Sequence, residues 1–474
     1  MTQNDSLPLF VDLDGTLIKT DLLVESALAL IKQSPWMILP MLGWLLRGKA
    51  HLKAQIAERV TLESDTLPLQ NEFVDYLREE AAKGREIWLA TASDRRLAEP
   101  VAARLGFFRG VIASDGQRNM RGSEKLKAML EVTANGVFDY AGNATADYPV
   151  WQQAKHAIVV NPGTGVEAGA RSRTTVSRVF DDRPSCLRAW IKEARVYQWL
   201  KNLLIGVPLL TAHAFNLPSA SKVAIAFIAF GLVASATYMF NDLLDLPSDR
   251  RHPRKCRRPF AAGNIGIASG IIVMGLLLVG GLSLASLLSA KFMLAQLGYL
   301  AVTLAYSLYF KTYVLIDVLL LAGLYTLRII AGALAIDVEV SSWLLAFSMF
   351  TFLSLALVKR SSELVAMEKL ERKSAKGRDY QQSDSTTVIS MGTASGYLSV
   401  LVLALYVDSP FVREHYHHPQ ALWLLCPLML YWVSRLWMKT TRGEMHDDPI
   451  IFSLRDRGSW ACFVAMAAVA VFAM

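Results

Sequence analysis

The chain has 474 residues, 53% of them hydrophobic, and a formal net charge of +8. A single soluble domain is excluded by how the apolar residues are distributed: up to about residue 188 charged, Gly-containing and apolar stretches alternate, whereas from Leu203 onward long apolar blocks are separated by short polar loops. Most of the basic excess lies in those loops, which points to anionic headgroups or phosphorylated substrates and away from nucleic acid, and Cys186, Cys256, Cys426 and Cys462 show neither CxxC nor paired spacing, so neither a disulfide framework nor a zinc site is suggested.

Met1 is followed by a polar stretch and not by a basic-then-apolar leader, so the N-terminus is expected to stay in the cytoplasm. Leu9-Phe10-Val11 is a short apolar run ending in Asp12-Leu13-Asp14-Gly15-Thr16. A buried parallel strand that ends this way presents one carboxylate as a nucleophile and a second as acid/base, beside Mg²⁺. This DxDGT pattern resembles the haloacid dehalogenase (HAD) superfamily. The resemblance implies a doubly wound α/β core, with Asp12 as nucleophile and Asp14 as general acid/base. It implies Thr91, at the end of the strand Ile87–Thr91, as phosphate binder, and Lys125, or Lys127 in another register, as the phosphate-neutralising lysine. The family's fourth motif, usually GDxxxD, reads Gly142-Asn143 and then Asp147 here. Asn143 and Asp147 would complete the Mg²⁺ set with Asp12 and Asp14, an amide standing where the family has an acid; a non-catalytic binding module is the alternative.

The family's helical cap would occupy residues 22–84. Within it, Trp36–Leu46 carries no charge and is bounded by Lys32 and Arg47. It is too short and Pro-interrupted to span a bilayer, and either lies in the membrane interface or packs inside the cap. Gly163–Arg178, rich in Gly, Ser, Thr and Arg, reads as a linker. The expected domains are therefore residues 1–162, a linker at 163–187, and a membrane domain at 188–474.

Apolar runs predict an all-α bundle of about nine transmembrane helices, near 199–216, 221–240, 264–288, 291–310, 314–335, 341–358, 390–408, 421–438 and 457–474. With the N-terminus inside, the loops on its side hold Arg250, Arg251, Arg254, Lys255, Arg257, Arg258, Lys311, Lys359, Arg360, Lys369, Arg372, Lys373, Lys376, Arg378, Lys439, Arg442, Arg455 and Arg457. The opposite loops hold only Lys222, Lys291 and Arg413, so the positive-inside rule places the N-terminal domain on the cytoplasmic face of the inner membrane.

After the second predicted helix the sequence reads Asn241-Asp242, Asp245 and Asp249, then His252-Pro253, Lys255, Arg258-Pro259 and Gly263. Positions 242, 245 and 249 share one helical face, and three carboxylates so gathered repel unless a cation sits among them. Mg²⁺ suits that place because it completes its shell with phosphate oxygens, and the following cations would neutralise a departing diphosphate. Here the chain resembles the UbiA prenyltransferase superfamily, whose first acidic motif is NDxxDxxxD. Its basic continuation looks most like the decaprenyl-phosphate phosphoribosyltransferases. Arg195, Gln198, Lys201 and Asn202 are similar to their RPxQWxKN stretch, although Val196-Tyr197 departs from it.

Tyr306, Lys311 and Asp317 stand where many relatives carry a second acidic motif, again as in the phosphoribosyl branch, and Asp317 shares a helix face with Arg328, as a substrate group or as a structural ion pair. Lys359, Arg360, Glu363, Asp447, Asp448, Arg455 and Asp456 either complete a phosphate site or face solvent and headgroups. The resemblance implies transfer of phosphoribosyl from phosphoribosyl diphosphate to polyprenyl phosphate; the alternative is transfer from a prenyl diphosphate to an aromatic acceptor.

Overall fold

A computed structural model describes residues 7–133, 135–368, 379–445 and 448–474. Lys369, Arg372, Lys373, Lys376, Arg378 and Asp447 lie outside the described residues. The chain divides into two compact units, Met1–Ala194 with Tyr238–Met274, and Arg195–Thr237 with Gly275–Met474.

In the first unit the strands β1 (Leu9–Val11), β2 (Ile87–Asp94), β3 (Gly110–Ser114), β4 (Asp139–Gly142), β5 (His156–Val160) and β6 (Thr175–Phe180) form one sheet in the order β3-β2-β1-β4-β5-β6. Every pairing is parallel. β1 is central and wholly buried because both its faces are apolar. Leu9 and Val11 point into the cluster that holds Phe73 and Val101, while Phe10 points oppositely against Phe138, Tyr140 and Trp151. The strand order reverses between β1 and β4, and the crevice beyond the carboxyl ends of such strands is where doubly wound sheets bind ligands.

Between β1 and β2 four helices form the expected insertion: α1 (Leu22–Gln33), α2 (Ile38–Leu46), α3 (Lys49–Ala57) and α4 (Asn71–Ala82). Asp21 caps α1 by accepting from the amides of Leu23 and Val24. α4 buries Phe73, Val74 and Leu77 in the same cluster as β1.

The linker expected at 163–187 is not one. It contains a short helix, Val166–Arg171, and then β6, which pairs with β5 from Thr175 to Phe180. The Gly- and Ser-rich composition hid an edge strand whose Val176, Val179 and Phe180 suit a pleated, half-buried surface; Phe180 closes edge-on over Phe73, with ring centroids 5.3 Å apart.

The second unit is helical, with a core built on Tyr325, Phe352, Trp432 and Trp437. The expected nine spans are not found among the described residues. Six helices are long and apolar enough to cross a membrane: Leu217–Leu244, Ile267–Ser286, Ile316–Ile336, Ser342–Met367, Gln382–Val407 and Pro419–Thr441. A seventh would be the pair Pro449–Arg455 and Arg457–Ala473, which bends by 81°. The span expected at 199–216 is instead a 3-10 stretch, Val196–Gly206, and a single helical turn, Val207–Thr211, because it buries the polar Lys201 and Asn202. That at 291–310 is the helix Ala290–Leu308, which begins beside Lys291 and buries the amide of Gln296, and falls outside the apolar set.

Candidate active site

Asp12 follows directly on β1, and its amide donates to the Ala141 carbonyl of β4 at 3.0 Å, which fixes it at the strand crossover. Lys125 Nζ, buried, donates to Asp12 Oδ1 at 2.8 Å and to the Tyr140 hydroxyl at 2.8 Å, and lies 3.7 Å from Asp147 Oδ1. Lys127 is exposed and pairs with Glu124, so Lys125 is the lysine brought to the aspartate. Asp14 accepts from the Leu22 amide at 2.8 Å through one oxygen and from Ser93 Oγ at 2.6 Å through the other. Thr91 is fully buried, its hydroxyl accepting from the Ser93 amide at 3.0 Å. Gly15 sits at φ +77°, a backbone conformation that favours glycine, and the Asn143 side-chain amide lies close against it.

Burial pushes the Asp12 carboxyl up to about 6, against the opposing pull of Lys125, and burial pushes Asp14 up to about 7. Asp12, buried, and Asp14, half-buried, with an amide oxygen beside their turn, make a donor set that a hard dication fits. At Asp147, Tyr140 donates to one oxygen at 2.8 Å, and the backbone amides of Asn143 and Ala144 to the other at 3.0 Å each, so it orients the loop beside Lys125. Ser93, Tyr140 and Lys53 were not legible as site residues. Lys53, from α3, reaches the Ala92 carbonyl at 2.6 Å and feels the charges of Asp14 and Asp21. Only the fold brings that cap lysine to the strand ends.

The aspartate motif lies in the same compact unit, on the end of Leu217–Leu244 and the turn Leu246–Arg250. Asp242 and Asp249 are each 2% exposed, and Arg258 bonds both, at 2.8 Å to Asp242. A guanidinium thus stands between two of the three acids where a cation was expected. Asp245 accepts from the Asn241 amide at 3.1 Å, and Lys255 lies 3.7 Å from Asp249. The exposed His252 turns its Nδ1 to the amides of Arg254 and Lys255, at 3.2 Å each, and so shapes the basic turn. Among the described residues no three His, Cys, Asp or Glu side chains are grouped closely enough to hold a metal by themselves. The carboxylates suit a cation, and Arg258 is the one that shares them here.

Arg250, next to Asp249, makes a bidentate pair with Glu25 on α1 at 2.9 and 2.5 Å, both side chains nearly excluded from solvent. Truncating one member strands the other charge. Glu25→Ala is expected to lower the thermal midpoint of the detergent-solubilised chain by ~10 °C, while Glu25→Met with Arg250→Met recovers most of that loss.

In the second unit Lys201, Asn202, Arg328 and Asp317 each join a buried polar network. Lys201 Nζ bonds Asp448 at 2.6 Å, and the Tyr325 hydroxyl meets the same carboxylate at 3.3 Å. Arg328 bonds Asn202 at 3.1 Å and the Tyr299 hydroxyl at 3.1 Å. Asp317 is instead held by Arg360 and by the Tyr380 hydroxyl at 2.8 Å, so the structural pair considered for Asp317 and Arg328 does not form. Arg195 adopts a left-handed φ of +49° and accepts from the Gln198 amide at 2.7 Å; Tyr306 is half-buried on Ala290–Leu308, and Lys311 follows in the turn Phe310–Thr312.

Comparison with known proteins agrees with both sets of motifs. Residues 203–472 match the UbiA prenyltransferase family, and residues 9–150 match the haloacid dehalogenase-like hydrolases. The uncharacterized protein y4nM of Sinorhizobium fredii is 36% identical over 99% of this chain and 91% of its own length. The nodulation protein NoeC of Azorhizobium caulinodans is 32% identical over 60% of this chain and 93% of its own. The decaprenyl-phosphate phosphoribosyltransferase of Mycolicibacterium smegmatis is 36% identical over 46% of this chain and 70% of its own. With its apolar helices and a family match across more than half its length, the chain is a multi-pass integral membrane protein that belongs to the UbiA prenyltransferase family and carries a haloacid dehalogenase-like domain at its N-terminal end.

Proposed function

We propose that the membrane domain transfers phosphoribosyl from phosphoribosyl diphosphate to polyprenyl phosphate, and that the N-terminal domain then removes the 5-phosphate from the product. The reading is carried by one observation. A single compact unit holds an aspartate–arginine motif suited to a leaving diphosphate and an Asp12–Lys125–Asp14 constellation suited to a phosphate monoester. A phosphoribosyl group keeps such a monoester once its diphosphate has gone. The similarity to decaprenyl-phosphate phosphoribosyltransferases supports the same transferred group and a polyprenyl phosphate acceptor. The charged loops favour the cytoplasmic face of the inner membrane for the N-terminal domain.

In the first step a phosphate oxygen of the lipid attacks ribose C1, and the bond from C1 to the diphosphate oxygen breaks with its electron pair going to diphosphate. Arg258 and Lys255 offset that charge, and His252 holds their turn. Lys201, Asn202, Arg328, Tyr306, Lys311, Asp317, Arg195 and Gln198 are the proposed substrate-binding residues of the membrane domain. In the second step the Asp12 carboxylate attacks phosphorus as the bond from phosphorus to the ribose oxygen breaks and Asp14 protonates that oxygen; water then attacks phosphorus, giving its proton to Asp14, and the bond to Asp12 breaks to release phosphate and the free carboxylate. Lys125 and Thr91 hold the phosphate. Mg²⁺ would be held by Asp242, Asp245 and Asp249 in one site and by Asp12, Asp14, Asn143 and Asp147 in the other, where it would supply positive charge against phosphate oxygens.

Membranes carrying the full chain, given Mg²⁺, polyprenyl phosphate and labelled phosphoribosyl diphosphate, test the reading. Label is expected in the organic phase. Its absence, with turnover of prenyl diphosphate and an aromatic acid instead, replaces this reading with aromatic prenyl transfer. Asn143→Asp restores the acid usual in the family, and is expected to lower the Mg²⁺ concentration for half-maximal phosphatase activity by ~10-fold, read from a Mg²⁺ titration.

A further inference from the structure

α2 and the turn before it, Pro35–Met37, form an uncharged helical segment whose two faces do different things. Met37, Met41 and Trp44, spaced four and three apart, pack on Leu30, Ile56 and Val60 of the cap. The opposite face carries Leu39, Leu42 and Leu46 at helical spacing with Trp36 alongside, and these are 68%, 57%, 90% and 81% exposed. The outer face of a cap helix in water is ordinarily charged or polar. Here there is no charged residue between Lys32 and Arg47.

Packing inside the cap, one reading of this stretch, therefore accounts only for its inner face. We infer that the outer face of α2 is seated in lipid: α2 is a monotopic anchor lying in the boundary between headgroups and acyl chains. Two observations of place argue for lipid over any other cover. Lys32, at the end of α1, donates to the carbonyl of Leu244, the last residue of the membrane-spanning helix Leu217–Leu244, so the chain enters α2 from a point tied to that helix end. The six residue steps from Lys32 to Ile38 reach at most ~20 Å. Arg47 and Lys49, both exposed, follow the apolar segment directly, where anionic headgroups would meet them. The twelve residues Pro35–Leu46 span only ~18 Å against a hydrocarbon core of ~30 Å, so the segment lies along the surface and does not cross it. The inference is independent of which group the transferase moves.

The full chain, reconstituted in vesicles of phosphatidylcholine and phosphatidylglycerol with a phospholipid carrying a diazirine on its acyl chain, is irradiated, digested and mapped by mass spectrometry. Residues 34–47 are expected to take up label at a level near that of the spanning helices and ~10-fold above α4, and Leu39→Glu with Leu42→Glu is expected to remove it while the spans stay labelled. Labelled spans with an unlabelled 34–47 peptide overturn the proposal. So does a crosslink joining that peptide to a second copy of the chain, which would make the face a protein interface.

Discussion

Asp242→Ala is expected to lower transfer of labelled phosphoribosyl into lipid by ~10²- to 10³-fold at saturating Mg²⁺, the range seen when one preorganised charge-stabilising group is removed from a catalytic site. Asp242 is buried, and its carboxylate shares Arg258 with Asp249. Its loss removes one of the three acids proposed to hold Mg²⁺, and leaves the guanidinium with a single partner of the pair. Organic-phase counts from membranes with matched protein levels give the rate. Retention of more than about a tenth of the wild-type rate would remove Asp242 from the catalytic machinery, since loss of one charge-stabilising group alone predicts more. Asp245, half-buried and bonded to Asn241, provides the contrast: a smaller loss at Asp245→Ala than at Asp242→Ala would rank the two acids by their share of the cation.

Asp12→Asn is expected to abolish phosphate release from a general phosphatase substrate, a fall on the order of 10⁴-fold or more, as for other lost nucleophiles. In the full reaction it leaves transfer intact and the lipid product still phosphorylated. Asn keeps the side-chain volume and Lys125 keeps Asp147 at 3.7 Å as its counter-charge, so the thermal midpoint is expected to stay within about 4 °C of wild type, which separates lost chemistry from lost fold. Unchanged phosphate release by Asp12→Asn would assign the activity elsewhere. No activity in the unsubstituted chain, with the transferase working, would leave the N-terminal domain as a binding module.

Short motifs were the most legible part of the site. DxDGT predicts where a strand ends and which carboxylates it presents, because a parallel strand buried on both faces leaves its polar groups only at its ends; Asp12 and Lys125 then meet as the resemblance implies. The aspartate spacing likewise predicts a shared face, and Arg258 bridges Asp242 and Asp249 across it. What misled was composition. β6 was hidden by a Gly- and Ser-rich run, since edge strands need only partial apolarity, and the nine-helix count took the apolar residues around Lys201 and Asn202 for a span.

The sequence by itself determined the two families, the acidic motifs that mark them and the division into a sheet-bearing and a helix-bearing half, because these rest on local spacing and on runs of hydrophobicity. Only the tertiary structure decided partners. Charges far apart in the chain pair by packing, which no local pattern records: Glu25 with Arg250, Lys201 with Asp448, Arg328 with Asn202, and Asp317 with Arg360 in place of Arg328. The structure likewise decided which face of α2 is spent on the cap and which is left bare, since an uncharged helix gives no sign of its orientation until its neighbours are in place.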